Sequence, residues 1–197
     1  MSYKLLLAKD KKLAPLLINE IIEPQLKVNI PLELVRSIVS QQLSTKVAAV
    51  IYQRFLNLFP QEPTIDMILK KSIEAYRAIG FSYSKASYVH NVAAFCQEHG
   101  VTDTYLHSLS SNEIIELLTQ IKGVGKWTVE MLLMFSLKRE DVFAVDDLGI
   151  QQAMCKLYKI DATDKKLMKQ KMIKIAAKWN PYQTYACLHL WGWKDAK

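Results

Sequence analysis

The chain has 197 residues, half of them hydrophobic, and 26 Lys and Arg against 19 Asp and Glu, a formal net charge of +7. Such a length can hold one large domain or two small lobes around a true core, and the basic balance favours a polyanionic partner without identifying it. The three cysteines, Cys96, Cys155 and Cys187, are odd in number, far apart and free of any C-x-x-C spacing, which speaks against a disulfide framework and against a zinc or iron–sulfur cluster.

The N-terminus, MSYKLLLAKDKK, carries an apolar core of only four residues before charge returns. That is too short for a signal peptide, and no later run approaches a membrane span. The expected location is cytoplasmic and nucleoid-associated, or nuclear in a eukaryote, with no membrane partner. The first seven residues leave room for a strand. Asp10 then opens an expected helix with Leu13, Leu16, Leu17 and Glu20 at helical spacing, ending at Pro24. From Leu32, the residues Leu34, Val35, Ile38 and Val39 form an apolar face that Gln41-Gln42 interrupts. Ser44 is placed to cap the next helix, whose Val47, Val50, Ile51, Phe55 and Leu58 share one side. The two glutamines therefore fall at a junction between helices.

Residues 64–70 and 72–78 read as short helices stopped by Gly80, and 84–99 as a longer one stopped by Gly100. Ser110 and Glu113 have capping-box spacing ahead of Ile114, Ile115, Leu117 and Leu118. Gly123-Val124-Gly125 follows, a place for positive φ and close backbone approach. A helix starting there presents unpaired amides and the positive end of its dipole, a phosphate seat that Lys126 reinforces. Further helices are expected near 147–158, 163–178 and 181–191, the last with Asn180 as cap and Pro181 in first position. The lysines at 165, 166, 169, 171, 174 and 178 spread around their helix and read as a solvated face. With no alternating strand pattern beyond the first seven residues, the expected fold is all-α, two helical lobes with a cleft between.

Four segments, QQLS at 41–44, GVGKWT at 123–128, VDDLGI at 145–150 and WNPYQTYACLHLW at 179–191, occur in an order that resembles the helix-hairpin-helix superfamily of DNA glycosylases. The nearest likeness is to the 3-methyladenine DNA glycosylase II branch, over residues 10–193. The resemblance implies one helix-hairpin-helix domain over 1–197, with the hairpin at about 111–138 followed by a Gly/Pro-type loop and a catalytic aspartate. It also implies a partner, double-stranded DNA containing a damaged base, and a monomeric enzyme that hydrolyses the N-glycosidic bond of an alkylated purine after flipping it out.

By the same resemblance Asp147 is the catalytic carboxylate, and Asp146 a structural neighbour or cap. A fixed carboxylate stabilises the positive charge that builds on the sugar as the bond breaks. A purine already cationic through alkylation leaves without the general acid that an ordinary base needs. Trp127 and Trp191 match aromatic base-pocket positions, suited to stacking on a cationic base, while Met131 and Gly192 stand where a bacterial member carries tyrosines. Tyr182, Tyr185 and His189 read as packing or hydrogen-bonding residues. Strand-cutting members place a lysine where this chain has Trp127, which cannot form an imine, so the expected enzyme is monofunctional and leaves an abasic site. Gln42 matches the residue that fills the gap left by the flipped nucleotide, with Leu43 as the alternative. Gly123, Gly125, Lys126 and Thr128 are the expected DNA contacts. The backbone carbonyls of Thr119, Ile121 and Val124 match positions that hold a monovalent cation, Na+ or K+, and no other cofactor is required. Two rival readings remain, a non-catalytic helix-hairpin-helix module and a same-fold glycosylase for oxidised or mismatched bases.

Overall fold

The computed structural model describes residues 2–196, in which regular structure is entirely helical. In chain order the helices are α1 (Tyr3–Leu7), α2 (Ile30–Ser40), α3 (Thr45–Leu56), α4 (Ile65–Leu69), α5 (Ile73–Ala78), α6 (Tyr83–Glu98), α7 (Asp103–Ser108), α8 (Ser111–Leu118), α9 (Lys126–Phe135), α10 (Leu148–Tyr158), α11 (Lys165–Ala176) and α12 (Gln183–Asp195). Two 3-10 turns, Ala14–Ile18 and Ala177–Trp179, complete them. Among the described residues no helix is long and apolar enough to cross a membrane. The chain forms two compact units, one from Leu26–Leu132 and one from the two chain ends, up to Gln25 and from Leu133 onward.

In the middle unit, starts are set by local side-chain chemistry. Asn29, Ser44, Thr64, Ser72, Ser82, Thr102 and Ser110 each accept a backbone amide of the helix that follows, each such cap contributing about 1 kcal/mol. Ser110 and Glu113 form the expected capping box. Gly80 and Gly100 do have positive φ, +104° and +60°, at the ends of α5 and α6. The short α7 has no expectation behind it. Its Asp103 carboxylate receives the amides of Asn29 and Ile30, both at 2.7 Å, and so fixes where α2 begins. The α2 face of Leu34, Val35, Ile38 and Val39 is buried as the periodicity requires. On α3 the phase differs from expectation. Ala48 and Phe55 point inward, whereas Val47 and Val50 are about half exposed. Phe55 sets this phase by joining an aromatic cluster, 5.3 Å from Phe59, 5.8 Å from Tyr76 and 6.0 Å from Phe81, and buried rings of this size dominate core energetics.

In the unit built from the chain ends, residues 3–7 are helical and not a strand. Leu7 is fully buried, and Tyr3 stacks on Tyr185 with ring centres 4.1 Å apart. The expected helix over 10–24 is replaced by a turn. Asp10 accepts the amides of Lys12 and Leu13 at 3.0 and 3.3 Å, the Tyr158 hydroxyl at 2.8 Å and the Trp179 indole N–H at 3.1 Å. A carboxylate so engaged winds the chain locally, and Pro15, which lacks an N–H, falls in the first turn of the short 3-10 segment that follows. The helix α12 is the centre of this unit, buried continuously from Thr184 to Leu190, Tyr185 and His189 included. It starts at Gln183 rather than Pro181. The Thr184 amide donates to the Glu140 carbonyl at 2.9 Å, and the Thr184 hydroxyl donates to the Arg139 carbonyl at 2.7 Å, so a distant loop sets the start in place of the Asn180 side chain. On α11, Met168, Met172 and Ala176 face inward, and the lysines are exposed except Lys169, which is half-buried.

Candidate active site and nucleic-acid interface

In the middle unit, α8 and α9 make a helical hairpin through residues 119–125. Gly123 has φ +104°, and a Cβ there would fall 2.3 Å from the Tyr88 ring. Both conformation and space therefore demand glycine. Gly125 differs, since its φ is not positive and a Cβ would meet nothing within 4 Å. The expectation that both glycines serve positive φ is corrected to Gly123 alone. Gly125 instead leaves the start of α9 bare on its outer side. The first bond of α9 runs from the Val129 amide to the Gly125 carbonyl at 3.2 Å, so the amides of the opening turn lie ahead of the intrahelical ladder, as in any helix N-terminus.

Lys126 opens α9, half exposed, with Nζ 3.5 Å from the buried carboxylate of Glu130. Its charge is thus shared between solvent and an internal partner. The Thr128 side chain is buried, 3.5 Å from Nε2 of Gln41, so a phosphate would meet its amide and not its hydroxyl. Trp127, one residue earlier, keeps 45% of its surface exposed, unusual for an indole. In the loop, the Ile121 carbonyl accepts the Val124 amide at 3.0 Å, and no backbone amide of the described residues donates to the carbonyls of Thr119 or Val124. Two open carbonyls and one with a spare lone pair are a donor set of the hard, oxygen-only kind that fits an alkali cation.

The glutamine pair sits on the turn between α2 and α3. Gln42 is exposed with φ +59°, a left-handed conformation uncommon outside glycine. Gln41 turns the other way, and its Nε2 donates to the Gly123 carbonyl at 3.2 Å. Nothing local to the pair distinguishes the two directions, because adjacent identical side chains carry no such signal. Tyr88 and Asn91 on α6 also hold the hairpin, roles that no motif announces. Asn91 Nδ2 donates to the Lys122 carbonyl at 3.1 Å, and the spacing of these residues on α6 was the only available clue.

In the other unit, Asp147 is the N-cap of α10. Its Oδ1 accepts the Ile150 amide at 2.9 Å and the Trp191 indole N–H at 2.8 Å. The carboxylate is half-buried, and Trp191 packs its ring 6.1 Å from that of Phe135 at 30°. Of the two expected roles for Asp146, structural neighbour or cap, the cap is corrected, since Asp147 fills it. Asp146 is exposed and ion-paired with Lys169 from α11. Gln151 Nε2 donates to the Val145 carbonyl at 2.9 Å, which braces the turn from behind. Gly149, unremarked in the sequence, completes the arrangement. A Cβ there would lie 3.0 Å from Asp147 Oδ1 and 3.1 Å from both Cδ1 and Nε1 of Trp191. Residue 149, having no side chain, leaves the aspartate–tryptophan bond undisturbed, since a Cβ there would press on both partners. Gly192 is exposed, with nothing near its absent Cβ, and Met131 is half-buried.

A helix-hairpin-helix with a bare second helix start, followed after a short loop by a carboxylate held at a helix N-terminus, defines the fold and site of a DNA glycosylase. The chain belongs to the HhH-GPD superfamily of base excision DNA repair proteins, whose pattern matches residues 35–178. It is 40% identical over 162 residues to DNA-3-methyladenine glycosylase 1 of Schizosaccharomyces pombe, a stretch that covers 81% of this chain and 70% of that protein. Its fold superimposes on the DNA-3-methyladenine glycosidase of Bacillus halodurans with a TM-score of 0.88 at 36% identity, covering all of this chain and 90% of the other. It also superimposes on S. pombe 3-methyladenine DNA glycosylase Mag1 in complex with abasic DNA, with a TM-score of 0.80 at 34% identity, covering 97% of this chain and 95% of the other.

Proposed function

We propose that this protein removes alkylated purines of the 3-methyladenine type from double-stranded DNA, working as a monomer and leaving an abasic site in an intact strand. The observation that carries the chemistry is the placement of Asp147, whose Oδ1 is held by the Ile150 amide and the Trp191 indole. Two fixed donors and a helix N-terminus orient the carboxylate before any substrate arrives, and preorganised charge of this sort stabilises a developing sugar cation without reorganisation. The electron pair of the N-glycosidic bond leaves with the purine, which departs neutral because alkylation had made it cationic. A water oxygen then bonds to the anomeric carbon and its proton is lost, with Asp147 positioned to orient the water or to take that proton.

The other residues take supporting roles. Trp127, exposed at the start of α9, and Trp191 offer aromatic faces that attract a cationic base over a neutral one. Gln42 fills the space of the extruded nucleotide, an event that costs a few kcal/mol. The opening turn of α9, with Gly125, Lys126 and the Thr128 amide, receives a phosphate. The Thr119, Ile121 and Val124 carbonyls would hold Na+ or K+, supplying positive charge next to that phosphate.

The deciding experiment is incubation of the purified protein with methylated duplex DNA and chromatographic identification of the released bases. Free 3-methyladenine is expected. Normal duplex binding without release of any base would instead favour the non-catalytic module. Release of oxidised or mismatched bases alone would favour the other rival.

A further inference from the structure

We infer that Gln41 is a positioning residue that ties the turn carrying Gln42 to the hairpin that grips the phosphate, so that anchoring the backbone and filling the helix gap act as one device. The inference rests on the proposed role of Gln42. Gln41 Nε2 donates to the Gly123 carbonyl at 3.2 Å, across 82 residues of sequence, and lies 3.5 Å from Thr128 Oγ1 in the first turn of α9. The first contact has hydrogen-bond length, and the second is at its outer limit. One side chain thus touches both the tip of the hairpin and the start of the helix beyond it.

The surroundings make this link stiff. Along α6, three successive side chains at i, i+3 and i+6 hold the same two elements. Lys85 Nζ donates to the Val39 carbonyl at the end of α2 at 2.7 Å, Tyr88 sits against Gly123 where no Cβ would fit, and Asn91 Nδ2 donates to the Lys122 carbonyl at 3.1 Å. The wedge turn and the hairpin are therefore fastened to one helix and, through Gln41, to each other. Gln42 is also held in a left-handed conformation, φ +59°. Such a backbone persists only where its neighbours over-determine it. Gln41 bonded on one side and Ser44 capping α3 on the other supply that constraint. A side chain that must enter a duplex beside a gripped phosphate gains from a fixed distance to that phosphate, because misplacement by about 1 Å can cost two orders of magnitude in rate.

The test uses the full chain and a duplex bearing one alkylated purine flanked by 2-aminopurine, whose fluorescence reports extrusion. Gln41→Met keeps the volume and removes the donor. Gln41→Met should lower the extrusion signal and the single-turnover excision rate about tenfold, while affinity for undamaged duplex and thermal midpoint change little, and the loss should vanish in a Gln42→Ala background, as for coupled sites. Thr128→Val and Gln41→Asn, measured alongside, provide milder versions should Gln41→Met not fold. Wild-type extrusion in these variants, a loss that multiplies in full with that of Gln42→Ala, or a matching loss of affinity for undamaged duplex would each overturn the inference. If Gln42→Ala alone extrudes and excises at the wild-type rate, the proposed role of Gln42 falls, and this inference with it. If Gln42→Ala is slow and Gln41→Met is fast, only the inference about Gln41 fails.

Discussion

Asp147 closes the first turn of α10 with the same oxygen that receives the Trp191 indole, so in the proposed mechanism cap and chemical group are one residue and must be separated by substitution. Asp147→Asn keeps an oxygen for both donors and loses only the charge. Its excision rate is expected to fall on the order of a hundredfold to a thousandfold, with fold and duplex affinity retained, as single-turnover kinetics and calorimetry will show. A wild-type rate in the folded variant would remove Asp147 from the chemistry. Asp146→Asn breaks an ion pair with Lys169 that is partly exposed on both sides, and should cost about 1 kcal/mol or less with excision intact. Gly149→Ala tests the geometry itself. A methyl group 3.0 Å from Asp147 Oδ1 and 3.1 Å from the Trp191 indole must displace one of them, and an excision rate lowered roughly tenfold or more is expected, given how steeply rate depends on about 1 Å of placement. Full activity with an undisturbed Trp191 environment, read from indole fluorescence, would show that the bond does not matter.

The hairpin and the N-terminal turn are the elements whose behaviour follows from their own chemistry. Gly123→Ala places a Cβ 2.3 Å from the Tyr88 ring and at an unfavourable φ, so a loss of about 1–3 kcal/mol from overpacking alone is expected, visible in chemical denaturation. Gly125→Ala meets no neighbour and should leave stability nearly unchanged while weakening duplex binding, because the added methyl stands at the start of α9. Equal stability loss in both would contradict the division of roles. Asp10 links the N-terminal turn to α10 and to the 3-10 turn at Trp179. Partial burial would raise its pKa, but the bonds from Tyr158, Trp179 and the Lys12 and Leu13 amides outweigh it and hold the carboxyl below its ordinary 3.8. A carboxyl depressed in the folded state adds stability that is present above its unfolded pKa and lost as pH falls through the folded one. Asp10→Asn should therefore be less stable than wild type at neutral pH, with the gap closing as pH drops below 3.8. Urea titrations at several pH values check this, and a gap independent of pH would refute it.

For the whole molecule, the proposed function includes base excision without strand cleavage, and this can be tested by trapping. By the resemblance, Trp127 stands where strand-cutting members carry a Schiff-base lysine, and the adjacent Lys126, turned about 100° away on the same helix, has its Nζ 3.5 Å from Glu130. Borohydride added during turnover is expected to trap no covalent protein–DNA adduct. A trapped band that survives Lys126→Ala would mean that another amine performs lyase chemistry.

Much of the architecture was legible in the chain because its determinants are local. Ser44, Thr64, Ser72 and Ser110 act within three residues of themselves, the α2 face follows from a 3.6-residue period, and the hairpin and the motif around Asp147 are contiguous. What the sequence could not reveal depends on partners far along the chain. Asp10 needed Tyr158 and Trp179 to make a turn where spacing favoured a helix, and Thr184 needed the 139–142 loop to move the start of α12. Gly149 acquired its meaning from Trp191, 42 positions later, and Gln41 from Gly123. Short-range hydrogen bonds and periodicity are encoded by neighbours, whereas the direction of a side chain at a junction and the space beside a glycine are decided by which remote surface packs against them.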